Sequence, residues 1–241
     1  MSHIQRPRID ARFAPFALAG PAPGLSAAPG RVIDGWQAGI KRGLDIVLTL
    51  LLLLVAALPM LWIAALIRLD SAGPALFRQR RVGRHGHGFQ MLKFRTMHAD
   101  PAQATPTGPG GTCRQATRDD PRVTRAGAKL RSRSLDELPQ LFNVLRGEMS
   151  LVGPRPHVPG TCAGGRPFEQ VAARYPARHQ VRPGITGLAQ VRGWRGETET
   201  EDKLRRRVDA DLEYIETWSV WLDLVILLRT VPAVLRATNA Y

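Results

Sequence analysis

Two hydrophobic patterns divide the chain. From Ile46 to Ile67 the sequence IVLTLLLLLVAALPMLWIAALI has no charged residue and puts apolar side chains on every face of a helix. A helix of about 20 residues covers the ~30 Å hydrocarbon core of a bilayer, so this reads as a membrane segment rather than a buried soluble helix. Lys41 and Arg42 precede it, and Arg68, Arg78, Arg80, Arg81 and Arg84 follow it. Lys and Arg gather on cytoplasmic flanks, so basic residues at both ends suit a hairpin returning to the same side and orient a spanning helix only weakly. Pro59 removes the bond its N–H would make to the Val55 carbonyl and bends the helix. Spanning helices tolerate such prolines too, so residue physics alone leaves hairpin and crossing open.

After this segment the periods shorten. Leu69 to Pro74 reads as a turn, and ALFRQRRVGRHGHGFQMLKFRTM predicts two short strands around a Gly/His connection. Strand alternation puts Lys93 and Arg95 on one face, with Leu92 and Phe94 on the other. His85 and His87 are expected at the surface rather than as metal ligands. Residues 101–118, rich in Pro, Gly and Thr, predict a mobile loop of the kind that serves as a lid. Asp120-Pro121 resembles a helix start, and a short helix from about Val123 to Arg133 gathers Arg125, Lys129, Arg131 and Arg133.

Helical period is clearest in SLDELPQLFNVLRGEMS, where Leu138, Leu141, Phe142 and Leu145 recur at i, i+3, i+4 and i+7 and Gly147 ends the run. Pro139 belongs among the first positions of that helix, which puts Asp136 or Glu137 at its N-terminus. One reading is structural: Ser134 and Glu137 form a capping box and the helix dipole favours the acids. The other is chemical, because the pair follows a run of Arg and free N–H groups at a helix start suit phosphate. An ionised Asp among cations can attack phosphorus, and a neighbouring Glu can bind a hard divalent cation. Arg155, stiffened by Pro154 and Pro156, has the fork geometry of a phosphate clamp, with an exposed structural turn as the alternative. Pro183-Gly184, Gly187 and the Gly193–Gly196 segment predict turns. A charged helix is expected from Glu201 to Glu213 or beyond. Trp218 and Trp221 beside an apolar run predict a helix lying at the membrane interface, and Asp223 argues against a second crossing.

Composition narrows the partners. The 241 residues carry 34 basic and 20 acidic side chains, a formal charge of +14, which calls for anionic partners. A nucleic-acid or anionic-lipid binding module would distribute its cations and add stacking aromatics. The 7 Phe, 5 Trp and 3 Tyr are too few for nucleic acid to be an expected partner. Cys113 and Cys162 lie far apart without further ligands at metal spacing, which argues against zinc and a disulfide framework and fits a reducing compartment. Residues 1–40, rich in Pro, Gly and Ala, read as a disordered tail, and their pattern lacks the early apolar run of a signal peptide.

These blocks together resemble the monotopic phosphoglycosyl transferases, bacterial sugar transferases that prime glycan assembly. The carriers are KRGLDIV at Lys41, FRQRRVG at Phe77, LKFRTM at Leu92, SLDELPQLFNVLRGEMSLVGPRP from Ser134, VRPGITGLAQV from Val181 and WSVWLDLVILLRTV from Trp218. The resemblance implies a mostly helical α+β fold in three parts. These are the tail (1–40), a re-entrant membrane helix broken at Pro59 (41–68), and a cytoplasmic catalytic domain with a small β-hairpin and C-terminal interfacial helices (69–241). It also implies a bacterial inner-membrane location, and leaves a homodimer open. The implied reaction moves a hexose-1-phosphate from a UDP-sugar to undecaprenyl phosphate in a ping-pong cycle that releases UMP and starts exopolysaccharide or another surface glycan. Asp136 would be the nucleophile and Glu137 the Mg2+ ligand, with Lys93, Arg131 and Arg155 around the phosphates. The chain departs from the family at Leu58-Pro59, where Ser-Pro is common. It departs again at Val191-Arg192-Gly193, where the following Arg of small members is Trp194 and Arg195 comes next as this loop's phosphate candidate.

Overall fold

The computed structural model describes residues 33–98, 120–198 and 200–235. The loop expected at 101–118, Cys113 and most of the expected tail lie outside them. Helix α1 runs from Gly35 to Asp70, 36 residues, and so starts within the stretch assigned to the tail. The helix continues through Pro59, although the break expected there would have divided it. Its amino-terminal part is tied to the rest of the chain by an ion pair and hydrogen bonds. The Lys41 ammonium lies 2.7 Å from Asp223, and the Arg42 guanidinium donates to the Val144 and Leu145 carbonyls at 2.6 and 2.8 Å. Asp45 accepts from the Ser150 hydroxyl and the Leu151 N–H, both at 3.0 Å. The carboxyl-terminal part is held by apolar contact: Met60, Ile63 and Ile67 bury against Phe94 and Leu130. Between these attachments Leu54, Val55 and Leu58 are each at least 78% exposed.

Strands β1 (Leu76–Val82) and β2 (Gly88–Phe94) form the antiparallel hairpin that the alternating pattern predicts, with Phe77 opposite Lys93 and Arg81 opposite Phe89. His85 and His87 are exposed at its turn, as expected. Lys93 and Arg95 do not share a face, because β2 ends at Phe94. Arg95 turns away, buried, and donates to the Ile67, Ser71, Ala72 and Gly73 carbonyls at the end of α1. A cation there satisfies carbonyls that lack helical partners and offsets the helix dipole.

Helix α2 (Arg125–Ser132) starts at Thr124, whose hydroxyl accepts from the Gly127 N–H at 2.9 Å. Asp120 instead folds onto Arg122, accepting from its backbone and guanidinium. A 3-10 turn (Leu135–Glu137) then leads into α3 (Gln140–Arg146), for which Pro139 is the cap and Gly147 the left-handed terminator. The face of α3 differs from the predicted one: Leu141 and Val144 are buried with Gln140 and Asn143, while Phe142 is 41% exposed. Asn143 accounts for the shift, because its amide accepts from the Leu92 N–H and donates to the Gln90 carbonyl, at 2.9 and 2.8 Å. An amide satisfied on both sides is stable in a core, and here it locks α3 to β2.

Beyond α3, β3 (Ser150–Val152) pairs in parallel with β6 (Gly184–Thr186), and a small hairpin of β4 (Cys162–Ala163) and β5 (Arg166–Pro167) lies between them in sequence. Helix α4 (Phe168–Val171), a 3-10 segment (Tyr175–Gln180) and α5 (Leu188–Val191) lead to α6 (Glu201–Thr217) and α7 (Val220–Leu235). The architecture is therefore mostly helical with short strands and one long apolar helix near the N-terminus. The main core joins Phe89 and Met91 to Val144, Met149, Val152, Phe168, Leu204, Tyr214 and Ile226, each such side chain contributing roughly 1.5–3 kcal/mol on burial. The two tryptophans expected at the interface separate. Trp221 is 72% exposed, whereas Trp218 is buried and donates to Asp223 at 3.1 Å, beside the Tyr214 hydroxyl at 2.8 Å.

Candidate active site

Asp136 and Glu137 are held by the 3-10 turn before α3, not by the first turn of an α-helix. Its pivot is Ser134, whose backbone is left-handed (φ 56°) and whose hydroxyl makes no capping bond, so the expected capping box does not form. A left-handed serine carries a Cβ cost that the surroundings must offset. Here Ser134 accepts a hydrogen bond from Arg195, and the Ser134 carbonyl accepts from the Glu137 N–H at 3.2 Å. Leu135 and Leu138, on either side of the acids, pack into the cluster formed by Met60, Ile63, Ile67, Phe94 and Leu130. The acidic turn is thereby fixed to the carboxyl-terminal half of the apolar helix.

The two carboxylates are buried but not equivalent. Glu137 accepts from both arms of Arg155, at 2.5 and 3.2 Å, and from Lys93 at 3.0 Å. Burial alone would raise its pKa; the Arg155 and Lys93 charges and the Arg155 hydrogen bond outweigh it and hold the carboxyl well below the usual range. Among the described residues, Asp136 has one ion pair, with Lys93 at 3.9 Å. Its pKa is raised, by burial first and by the Glu137 charge, with Lys93, Arg131 and Arg155 opposing. Bonded to Glu137, Arg155 is pushed above the normal guanidinium range, while burial lowers Arg195.

All six charged candidates from the sequence thus converge: Asp136, Glu137, Lys93, Arg155 and Arg195 in a contiguous set, with Arg131 facing Asp136 from α2. Pro59 lies apart, exposed on α1. Three positioning groups were not legible as such in the sequence, where Ser134 read only as a helix cap. Ser134 needed the backbone angle, and Asn143 sits inside an apolar period. Arg178, 2% exposed, donates to Asp211 at 2.7 Å and to the Arg155 carbonyl at 2.8 Å, so it fixes the main chain from which the Arg155 fork projects. The His157 ring accepts from Arg178 at 3.0 Å, and burial and the neighbouring guanidinium keep its pKa well below the ordinary histidine value.

A buried acid pair ringed by Lys and Arg and fastened to a long apolar helix has the charge arrangement that suits a phosphate. The chain belongs to the bacterial sugar transferase family, whose model matches residues 36–237. Over 202 residues it is 54% identical to the UDP-glucose:undecaprenyl-phosphate glucose-1-phosphate transferase of Caulobacter vibrioides, covering 83% of this chain and 72% of that protein. Over 231 residues it is 48% identical to the undecaprenyl-phosphate glucose phosphotransferase of Komagataeibacter xylinus, covering 95% of this chain but 41% of the relative. The exopolysaccharide production protein PSS of Rhizobium leguminosarum bv. phaseoli is 45% identical over 192 residues, with 80% of this chain and 93% of that protein aligned.

Proposed function

We propose that the chain transfers a hexose-1-phosphate, glucose-1-phosphate by its relatives' names, from a UDP-sugar to undecaprenyl phosphate at the cytoplasmic face of the bacterial inner membrane. The observation that carries the mechanism is the inequality of the acid pair. Glu137 is clamped by Arg155 and Lys93 and held ionised, while Asp136 is buried and, among the described residues, has one long ion pair, with Lys93. Desolvation makes Asp136 the more reactive oxygen nucleophile, and Lys93, Arg131, Arg155 and Arg195 supply the field for a diphosphate. A carboxylate oxygen of Asp136 attacks the β-phosphorus of the UDP-sugar, the bond to the bridging oxygen breaks, and UMP leaves with that electron pair. A phosphate oxygen of the acceptor then attacks the same phosphorus and releases the Asp136 carboxylate, leaving the sugar on a polyprenyl diphosphate.

The donor set also fits Mg2+. Among the described residues no three acid, His or Cys side chains form a cage, and a magnesium ion held by one or two carboxylates completes its shell with water and phosphate oxygens. Glu137 would hold it, sharing its carboxylate with Lys93 and Arg155, and the ion would supply charge neutralisation to the diphosphate.

The re-entrant reading of α1 belongs to this proposal. A straight helix would set Arg42 and Ile63 about 30 Å apart. Yet Arg42 is tied to Val144 and Leu145, and Ile63 shares a cluster with Leu135 and Leu138, on one short stretch of chain. A bend near Pro59, with its exposed apolar apex in the bilayer, satisfies both attachments. The deciding experiment incubates the purified chain with Mg2+ and UDP-hexoses without acceptor and seeks a hexose-phosphate adduct by intact mass. An adduct lost in Asp136→Asn is expected; one that persists in that variant removes Asp136 as the nucleophile.

A further inference from the structure

We propose that Phe77 forms the apolar wall of the acceptor subsite, against which the isoprenoid chain next to the acceptor phosphate lies; this rests on the transferase reading above. Phe77 and Lys93 are direct cross-strand partners, so their side chains stand on one face of the hairpin with Cβ atoms about 5 Å apart. Lys93 is the residue that reaches both acids, at 3.0 Å from Glu137 and 3.9 Å from Asp136. Farther along that face Met91 and Phe89 are buried in the main core, but Phe77 is 48% exposed and belongs to neither apolar cluster. A phenyl ring half in water beside a buried nucleophile is uncompensated apolar surface at the place where substrates enter.

Its surroundings select the occupant. Strand β1 follows α1 after a short turn, and Ala75 packs on the same Met60–Ile63–Ile67 cluster that carries Leu135 and Leu138 of the acidic turn. Leu61, Trp62 and Leu69 of α1 are exposed. The Lys93 cation and the strand that leads back to α1 through Ala75 therefore meet at Phe77, which matches a lipid phosphate: charge at the head, hydrocarbon behind it. A nucleobase could also stack on the ring, but its polar edges need donors and acceptors, and on this face Ala75 offers none while the Gln79 amide oxygen is already taken by Arg81 at 2.7 Å.

The test separates the two half-reactions in the full chain and compares wild type with Phe77→Leu and Phe77→Thr, the latter chosen because a β-branched residue suits a strand. Adduct formation from UDP-hexose is expected to be unchanged in both variants. Discharge of the adduct onto undecaprenyl phosphate is expected to show an acceptor KM raised about tenfold in Phe77→Thr, as loss of a modest apolar contact predicts, and near wild type in Phe77→Leu. An unchanged acceptor KM in Phe77→Thr overturns the proposal. So does slowed adduct formation in both variants, which would mean that the ring stacks on the base. If wild type forms no adduct with any nucleotide-sugar, the transferase reading itself falls, an outcome distinct from a failure at Phe77. Thermal unfolding of each variant separates loss of fold from loss of contact, and if Phe77→Thr does not fold, Phe77→Val takes its place, with a raised acceptor KM expected and an unchanged one overturning the proposal.

Discussion

Arg155 grips both oxygens of Glu137, at 2.5 and 3.2 Å, whereas the adjacent Asp136 lies 3.9 Å from Lys93. Planar bidentate geometry is what a lysine cannot reproduce. Arg155→Lys is therefore expected to slow adduct formation about 10- to 100-fold, the range set by losing a charge-assisted bond of about 1.5–3 kcal/mol. Initial rates by intact mass check this; a full rate in Arg155→Lys would show that charge alone suffices.

Asp136 should cost the protein stability. Its folded pKa lies above the unfolded value of about 3.9, so between those two values the native state holds more protons than the unfolded state. Stability contributed by this site then falls as pH rises through that window, the opposite of the usual paired carboxylate. Asp136→Asn is expected to melt higher than wild type at neutral pH and to match it below about pH 4. Equal melting points at pH 7 would contradict the burial argument. In wild type, the rate of adduct formation should decline on acidification at a pH above the ordinary aspartate range.

Glu137 carries the opposite sign. Its depressed folded pKa means stability that is present above the unfolded value of about 4.3 and lost as pH falls through the folded one. Glu137→Gln should lower the melting point at pH 7 and flatten the acid limb of the stability curve, as differential scanning calorimetry across pH would show.

Close backbone packing holds the loop that delivers Arg155. A Cβ at Gly184 would lie 2.1 Å from the Gly153 nitrogen and 2.4 Å from the Thr186 oxygen, against backbone that cannot swing aside. Gly184→Ala is expected to separate β3 from β6, costing at least the 1–3 kcal/mol typical of overpacking, about, and to abolish adduct formation. Retained activity at wild-type stability would mean that the strand pair does not set the Arg155 position.

The long apolar helix α1 is anchored by a buried charge. Asp223 accepts from Lys41, Tyr214 and Trp218, and removing it strands the Lys41 ammonium. Asp223→Leu is expected to cost about 3–5 kcal/mol, and adding Lys41→Met should recover most of it, because a buried pair replaced by apolar groups is close to neutral. A double-mutant cycle by thermal or denaturant unfolding measures the coupling; additive losses would exclude it.

Local pattern was enough for some of this. The charge-free run in α1, the β1–β2 alternation and the sequence around Asp136 and Glu137 are legible because each depends on side chains near in sequence: membrane-length hydrophobicity, strand period, proline and glycine at helix ends. Residue chemistry singled out Asp136, Glu137 and Arg155, the resemblance added Lys93 and Arg131, and Arg195 came from a departure from the known blocks; the fold then brings them together. What the chain order could not disclose is who pairs with whom. Arg95 and Lys93 look alike on a strand, yet one closes α1 and the other faces the acids. Trp218 and Trp221 look like a pair, yet Asp223 draws one into the core. Phe142 fits the apolar period, yet Asn143 takes the buried place because its amide finds backbone partners on β2.

The sequence by itself therefore determined the kinds of element, the presence of a membrane-length helix and the cationic surroundings of an acidic pair. Only the tertiary structure decided that Glu137 is clamped and Asp136 is not, and that the pair is fastened beneath α1 by Leu135 and Leu138. The reason is physical. Periodicity reports how each side chain is presented along its own backbone, whereas burial, pairing and pKa depend on groups such as Arg155 and Arg178 that arrive from distant parts of the chain.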